Sequence, residues 1–149
     1  MMHMHHEKIS ACACTALRKA SRAVTRLYDE RLAAHGMTTT QFSILRNLAR
    51  AEGEMPLSRL AEKLVMDRTS LYRTLTPVER VGWIALASGP RRSKLARLTP
   101  AGRAAMQGAE GDWEAAQDDL LGEIPANEWQ VLLGTLDRLV GAAQGEMTS

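Results

Sequence analysis

The sequence predicts a mainly α fold of six helices, with a two-stranded β-hairpin placed between the fourth helix and the fifth. Three observations carry that prediction. Apolar residues recur at three- and four-residue steps through most of the chain. Two of the helical segments near the middle are short and separated by a tight turn. A strand-like pattern appears only once, directly after Gly82.

The first helix is expected from about Ser10 to Ala34, with Leu17, Ala20, Val24, Leu27 and Arg31/Leu32 on one side. His35-Gly36 ends it, because glycine suits the left-handed cap; His35 itself reads as a cap residue. Thr38-Thr39-Thr40 supplies N-cap hydroxyls for a second helix through Phe42, Leu45 and Leu48, which stops near Glu52-Gly53. Pro56-Leu57-Ser58 opens a short third helix through Leu60, Ala61 and Leu64, and Val65-Met66 makes a tight turn. Asp67 caps a fourth helix through Leu71, Leu75 and Val78, with a bend expected at Pro77, whose nitrogen has no proton to donate. Trp83-Ile84-Ala85-Leu86-Ala87 and Lys94-Leu95-Ala96-Arg97-Leu98 read as strands joined by a turn at Ser88–Arg92. Thr99-Pro100 starts a fifth helix that Gly122 closes, and Pro125 opens a sixth with Trp129, Leu132, Leu133, Leu136 and Leu139/Val140 on one side. Two short helices followed by a hairpin make a winged helix-turn-helix.

Composition narrows the function. The 149 residues suffice for one compact domain, and a 45% hydrophobic, 24% charged composition is that of an ordinary globular chain. No apolar run approaches the ~20 residues that span a bilayer, and Met1–His6 lacks the apolar core of a signal peptide, so a cytoplasmic protein without a membrane partner is expected. The net charge of +2 conceals a segregation: residues 53–102 carry nine Lys or Arg against four Asp or Glu, whereas residues 103–149 carry two against nine. A basic middle beside an acidic tail is the footprint of a face that meets phosphates, although an acidic tail also solvates helices.

A recognition helix needs one face that docks on its domain and another of short polar and basic side chains. In the fourth helix Leu71, Leu75 and Val78 supply the inner face; Arg68, Thr69, Tyr72, Arg73 and Thr76 supply the outer one. Thr69 and Ser70 are short enough to let the helix approach the groove, and an arginine at 68 or 73 suits the guanine acceptors. Ser58 and Arg59, opening the third helix, are placed to hold phosphates. Arg91, Arg92 and Lys94 concentrate charge at the hairpin tip, as in a wing that enters a minor groove; alternatively Arg91 and Arg92 only solvate a turn.

The stretches Leu57–Leu64, Asp67–Ser70 and Leu75–Ile84, together with Arg91–Gly102 at the wing and the start of the fifth helix, resemble the MarR family of bacterial regulators. The six-helix order extends the likeness over nearly the whole chain. One departure is Pro90, which stands where the family usually has an aspartate two residues before the wing arginine, so Arg91 is assigned that role alongside Arg92. The resemblance implies double-stranded DNA with a pseudo-palindromic operator as partner, half-sites lying about one helical turn, ~34 Å, apart. It also implies a homodimer: residues 1–34 and 103–149 would form the dimerisation helices of a single MarR-like domain, with 35–102 as the DNA-binding lobe. The apolar stripe of the sixth helix supports that reading independently.

Two kinds of signal follow from the resemblance. In one, a small aromatic or phenolic acid enters a pocket between the dimer helices and the DNA-binding lobe; Arg18 and Arg22 would meet its carboxylate, with Phe42, Leu45 and Trp113 as apolar walls. These arginines equally suit pairing with Asp29, Glu30 or the acidic fifth helix. In the other, Cys12 or Cys14 senses oxidants near the start of the first helix, where the helix dipole and the nearby Arg18 and Lys19 favour a thiolate. Against this, Thr39 and Phe42 stand where the peroxide-sensing subgroup has tyrosines, and both cysteines fit equally well as small residues at a dimer seam.

Other classes find less support. No Ser-His-Asp order, paired carboxylates or glycine-rich phosphate loop points to an enzyme, and nothing calls for a cofactor. His3, His5 and His6 read as a solvated terminus rather than a metal site. A winged helix used for protein interaction without DNA is the remaining alternative, and the basic wing argues against it.

Overall fold

The computed structural model describes residues 11–145. Ser10 and the histidines at 3, 5 and 6 lie outside the described residues. The elements are α1 (Ala13–Leu32), a 3-10 turn (Ala33–His35), α2 (Thr39–Ala51), β1 (Met55–Pro56), α3 (Leu57–Leu64), α4 (Arg68–Arg80), β2 (Ile84–Ser88), a 3-10 turn (Pro90–Arg92), β3 (Lys94–Leu98), α5 (Pro100–Leu121) and α6 (Ala126–Ala143). Six helices and a hairpin stand in the expected order. The sheet has one strand more than expected: β1 pairs antiparallel with β3, Met55 opposite Ala96, giving the order β1-β3-β2. Two residues are too few for any periodicity to register, and Pro56 within them argued for a helix start.

Local chemistry fixes most of the boundaries. Thr38 caps α2 in a reciprocal box: its hydroxyl accepts from the Gln41 N–H (3.2 Å), and Gln41 Oε1 accepts from the Thr38 N–H (3.0 Å). Gly36 adopts φ 65° after the 3-10 turn, a conformation that costs glycine nothing. Asp29 reaches across from α1 and accepts from the Thr39 N–H at 2.7 Å, joining α1 to the start of α2. Pro56 itself is the N-cap of α3, so Ser58 sits in the first turn. The helix of α4 runs through Pro77 without interruption.

The core of the first 114 residues gathers one face of each helix. Leu32 of α1, Phe42, Ile44, Leu45 and Leu48 of α2, Leu60 of α3 and Leu71, Leu75 and Val78 of α4 are all fully buried. Each such side chain contributes about 1.5–3 kcal/mol relative to exposure, which holds the short helices that have little stability of their own. Thr99 ties the hairpin to α5. Its N–H donates to the Trp83 carbonyl (3.0 Å), its hydroxyl donates to the Gly82 carbonyl (2.6 Å), and Thr99 Oγ1 in turn accepts from the Gly102 N–H (3.0 Å). A Cβ on Gly102 would overlap the Trp83 carbonyl, so only glycine permits this approach.

The chain divides into two compact units after Glu114, within α5. In the second unit α6 leaves apolar side chains open: Val131, Leu132, Leu133, Leu139 and Val140 are all exposed. Among the described residues, no helix is long and apolar enough to cross a membrane.

Candidate nucleic-acid interface

The geometry of α4 begins at its cap. The Asp67 carboxylate accepts from the Ser70 N–H at 3.0 Å, which fixes the register of everything after it. Hydrogen bonds from Ser70, and to a smaller extent the charge of Arg73, hold the Asp67 carboxyl below its ordinary range. With Leu71, Leu75 and Val78 turned inward, Arg68, Thr69, Tyr72, Arg73 and Thr76 are exposed, as the helical period requires. Thr74 and Thr76 donate to the carbonyls of Ser70 and Tyr72, both at 2.9 Å, so those hydroxyls are engaged within the helix.

The wing is a tight device. Gly89 N–H donates to Ser93 O at 2.8 Å, and Ser93 N–H donates to Pro90 O at 3.1 Å. Arg91 and Arg92 are consecutive left-handed residues, with φ of 56° and 64°. Such conformations cost non-glycine residues of order 1–3 kcal/mol each. The hairpin tip is therefore held, against local backbone preference, in a shape that leaves both arginines exposed.

Five of the residues singled out by sequence converge. Ser58, Arg68, Tyr72, Arg92 and Lys94 line a single small cleft, about 50 Å³, between the start of α3, the start of α4 and the wing; no carboxylate lines it. Thr69, Arg73 and Arg91 are exposed outside that cleft, Ser70 is half-buried, and Arg59 points into a different pocket, beside Arg50 and Lys63.

The residues assigned to an effector do not come together in the same way. Leu45 is fully buried in the core. Arg18 and Arg22 are exposed on α1, where Arg22 lines a shallow trough with Arg26 and Asp29. Phe42 and Trp113 do meet: their rings stack with centroids 5.6 Å apart, and they line a groove of about 240 Å³ with Arg46 and Arg50. The Arg46 guanidinium lies over the Trp113 ring at 4.3 Å, a cation–π contact. Arg46 was the cation to look for, since it follows Phe42 by one helical turn. His35 is more than a cap: its Nε2 meets Asp112 Oδ2 of α5 at 2.6 Å, a partner 77 residues away that no local pattern reveals.

At the start of α1, Cys12 and Cys14 are both exposed. The Cys12 thiol is lowered from its ordinary pKa, chiefly by hydrogen bonding to Thr15; Arg18 and Lys19 do not figure among the causes.

Comparison with known proteins decides what the frame is. The sequence model of the MarR family matches residues 37–86, from two residues before α2 into β2. The transcriptional regulator MosR of M. tuberculosis, solved in complex with DNA, is 32% identical, with 91% of this chain and 98% of that chain covered at a TM-score of 0.83. The chain belongs to the MarR family. MosR solved in a second structure matches at 31% identity over the same shares and a TM-score of 0.80. A probable transcriptional regulator of Pseudomonas aeruginosa matches at 25% identity, covering 88% of this chain and 98% of that one, at a TM-score of 0.76. MarR-family members are transcription regulators rather than enzymes. The family's helix-turn-helix corresponds here to α3 and α4, and its wing to β2 and β3.

Proposed function

We propose that this chain is a sequence-specific DNA-binding transcriptional repressor acting as a homodimer in the cytoplasm. The observation that carries the proposal is the convergence of Ser58, Arg68, Tyr72, Arg92 and Lys94 on one carboxylate-free cleft between recognition helix and wing. In this reading Arg68, Thr69, Tyr72 and Arg73 address base edges in the major groove, with Ser70 beside them. Ser58 and Arg59 hold backbone phosphates, while Arg91, Arg92 and Lys94 follow the adjacent minor groove. Residues 35–102 form the DNA-binding lobe, and 1–34 with 103–149 form the dimer helices that set two half-sites ~34 Å apart.

Fluorescence anisotropy on the protein's own upstream region tests the reading. Arg73→Ala is expected to weaken operator binding by about 1–3 kcal/mol and to relax selectivity at one base position. Uniform, selectivity-free binding by the wild type, or none at all, would leave a winged helix that works through proteins instead.

The signal that releases the operator is proposed to be a small aromatic acid. The Phe42–Trp113 stack offers an apolar wall, and Arg46 beside it offers the charge for a carboxylate. Oxidation of Cys12 is a second reading, favoured by its exposed thiol and lowered pKa. The same titration separates them: loss of binding with peroxide that dithiothreitol restores points to Cys12, and loss with salicylate alone points to the groove.

A further inference from the structure

A second, larger pocket of about 400 Å³ opens between the C-terminal half of α2, β1 and α3. Arg50, Arg59 and Lys63 line it, with Glu54 as the single carboxylate in the lining. The spacing explains the convergence: Arg59 and Lys63 lie one turn apart on α3, and Asn47 and Arg50 lie one turn apart on α2, so each helix turns a pair to the same side. The pairing of Met55 with Ala96 fixes the strand between them, and the buried Met55 side chain supplies an apolar floor. Asn47 Nδ2 donates to the Ser43 carbonyl at 2.8 Å, which fixes the orientation of its carboxamide. Among the described residues none of the three cations is held in a salt bridge.

Three cations and one carboxylate in the lining leave this concavity with an excess of positive charge. A phosphoryl group carries about −1.5 to −2 charge at neutral pH and three acceptor oxygens. Two guanidinium forks and an ammonium match that inventory, the forks binding oxygens in pairs and the ammonium acting as a point charge. The volume falls within the ~300–1,000 Å³ of small-molecule sites, which leaves room above Met55 for a small organic body beyond the phosphate.

We propose that this pocket binds the phosphoryl group of a small phosphate ester, and that the bound ester opposes DNA binding. The antagonism rests on the DNA-binding reading above, because Arg59 is shared. Ser58 lines the cleft beside the wing and Arg59, its neighbour, lines this pocket, so the first turn of α3 borders both. An ester that engages Arg59 withdraws it from the DNA backbone.

The test uses phenyl phosphate as probe, with the full chain at fixed ionic strength in chloride. The ³¹P resonance is followed as wild type, Arg50→Ala/Lys63→Ala and Glu54→Gln proteins are added, with Arg46→Ala as the control for the Phe42–Trp113 groove, which Arg50 also lines. Saturable binding by the wild type is expected, weakened at least about tenfold in the double variant and tightened by Glu54→Gln, which removes the opposing charge. Arg50, Glu54 and Lys63 are exposed, so these changes leave the fold intact, which circular dichroism verifies. In operator titrations, phenyl phosphate should lower the affinity of the wild type and not that of the double variant.

No saturable ³¹P response, an equal response in the double variant, or a loss in Arg46→Ala as large as in the double variant overturns the site, the last by moving the probe to the Phe42–Trp113 groove. A double variant that flattens the operator's salt dependence while free ester fails to bind makes the DNA backbone the anion instead, and also overturns it. Ester binding that leaves operator affinity unaltered overturns the antagonism. The resonance measurement contains no DNA, so it decides whether the pocket binds the ester even if the DNA-binding reading fails.

Discussion

At the start of α4 one carboxylate decides where the helix begins, and with it which side chains face outward. Asp67 accepts from the Ser70 N–H, and the ionised carboxylate is the stronger acceptor for that bond. Its pKa in the folded protein is depressed, so the stabilisation is present above the unfolded carboxylate value and is lost as pH falls through the folded one. Asp67→Ala should therefore lower Tm at neutral pH, and the gap to wild type should close in strongly acidic buffer; a gap that stays constant with pH would mean the cap does not act through its charge. Gly102 is a second decisive residue. Any side chain there meets the Trp83 carbonyl, so Gly102→Ala should destabilise by about 1–3 kcal/mol in urea titrations, the range of an overpacked site. A neutral result would mean that α5 shifts away from the hairpin without cost. Caps such as Thr38 and Asp67 were legible in the sequence because the donor and acceptor lie within four residues. The His35–Asp112 and Arg46–Trp113 contacts were not, because they join positions that only the tertiary fold brings together.

Among the elements, helices announced themselves through period and terminators, and all six stand where expected to within a few residues. β1 was missed because a two-residue strand exists only through its partner β3. The wing was legible as a hairpin, but not its internal geometry: nothing in Pro90-Arg91-Arg92 signals two successive left-handed residues. That geometry separates stability from binding. Arg91→Gly removes a strained φ and a charge together, so it should hold or raise Tm while weakening all duplexes alike. The slope of log affinity against log salt should flatten by about one unit, the mark of one lost phosphate contact. Lower stability in this variant would show that the Arg91 side chain stabilises the tip; an unchanged salt slope would show that it does not meet phosphate. The three elements that carry Ser58, Arg68, Tyr72, Arg92 and Lys94 were legible in the sequence, but their meeting at one cleft was not, because it depends on how α3, α4 and the wing pack. The scattering of the effector set was not foreseen, since helical spacing says which face a residue takes but not which groove that face borders.

On the scale of the whole molecule, charge is segregated along the chain, basic through the helix-turn-helix and wing and acidic beyond residue 103. In the second unit α6 holds an apolar face that a lone protomer leaves in water: Leu132 is 42% exposed, and Leu139 and Val140 are each 41% exposed. Burying such surface contributes about 25 cal/mol per Å², so a face of this kind is a source of association rather than a neutral coat. A two-fold dimer matches a two-fold operator, and its benefit is geometric, since the second half-site is engaged intramolecularly. Leu132→Glu/Leu139→Glu is expected to yield a folded monomer, read by light scattering at unchanged helicity. Operator affinity should then fall by about 10²–10⁴-fold, the range by which linked sites exceed single ones. Binding to a single half-site should fall much less, because each recognition helix and wing remain whole. A variant that stays dimeric would move the interface away from α6, and a monomer that keeps full operator affinity would mean the protein reads DNA one half-site at a time.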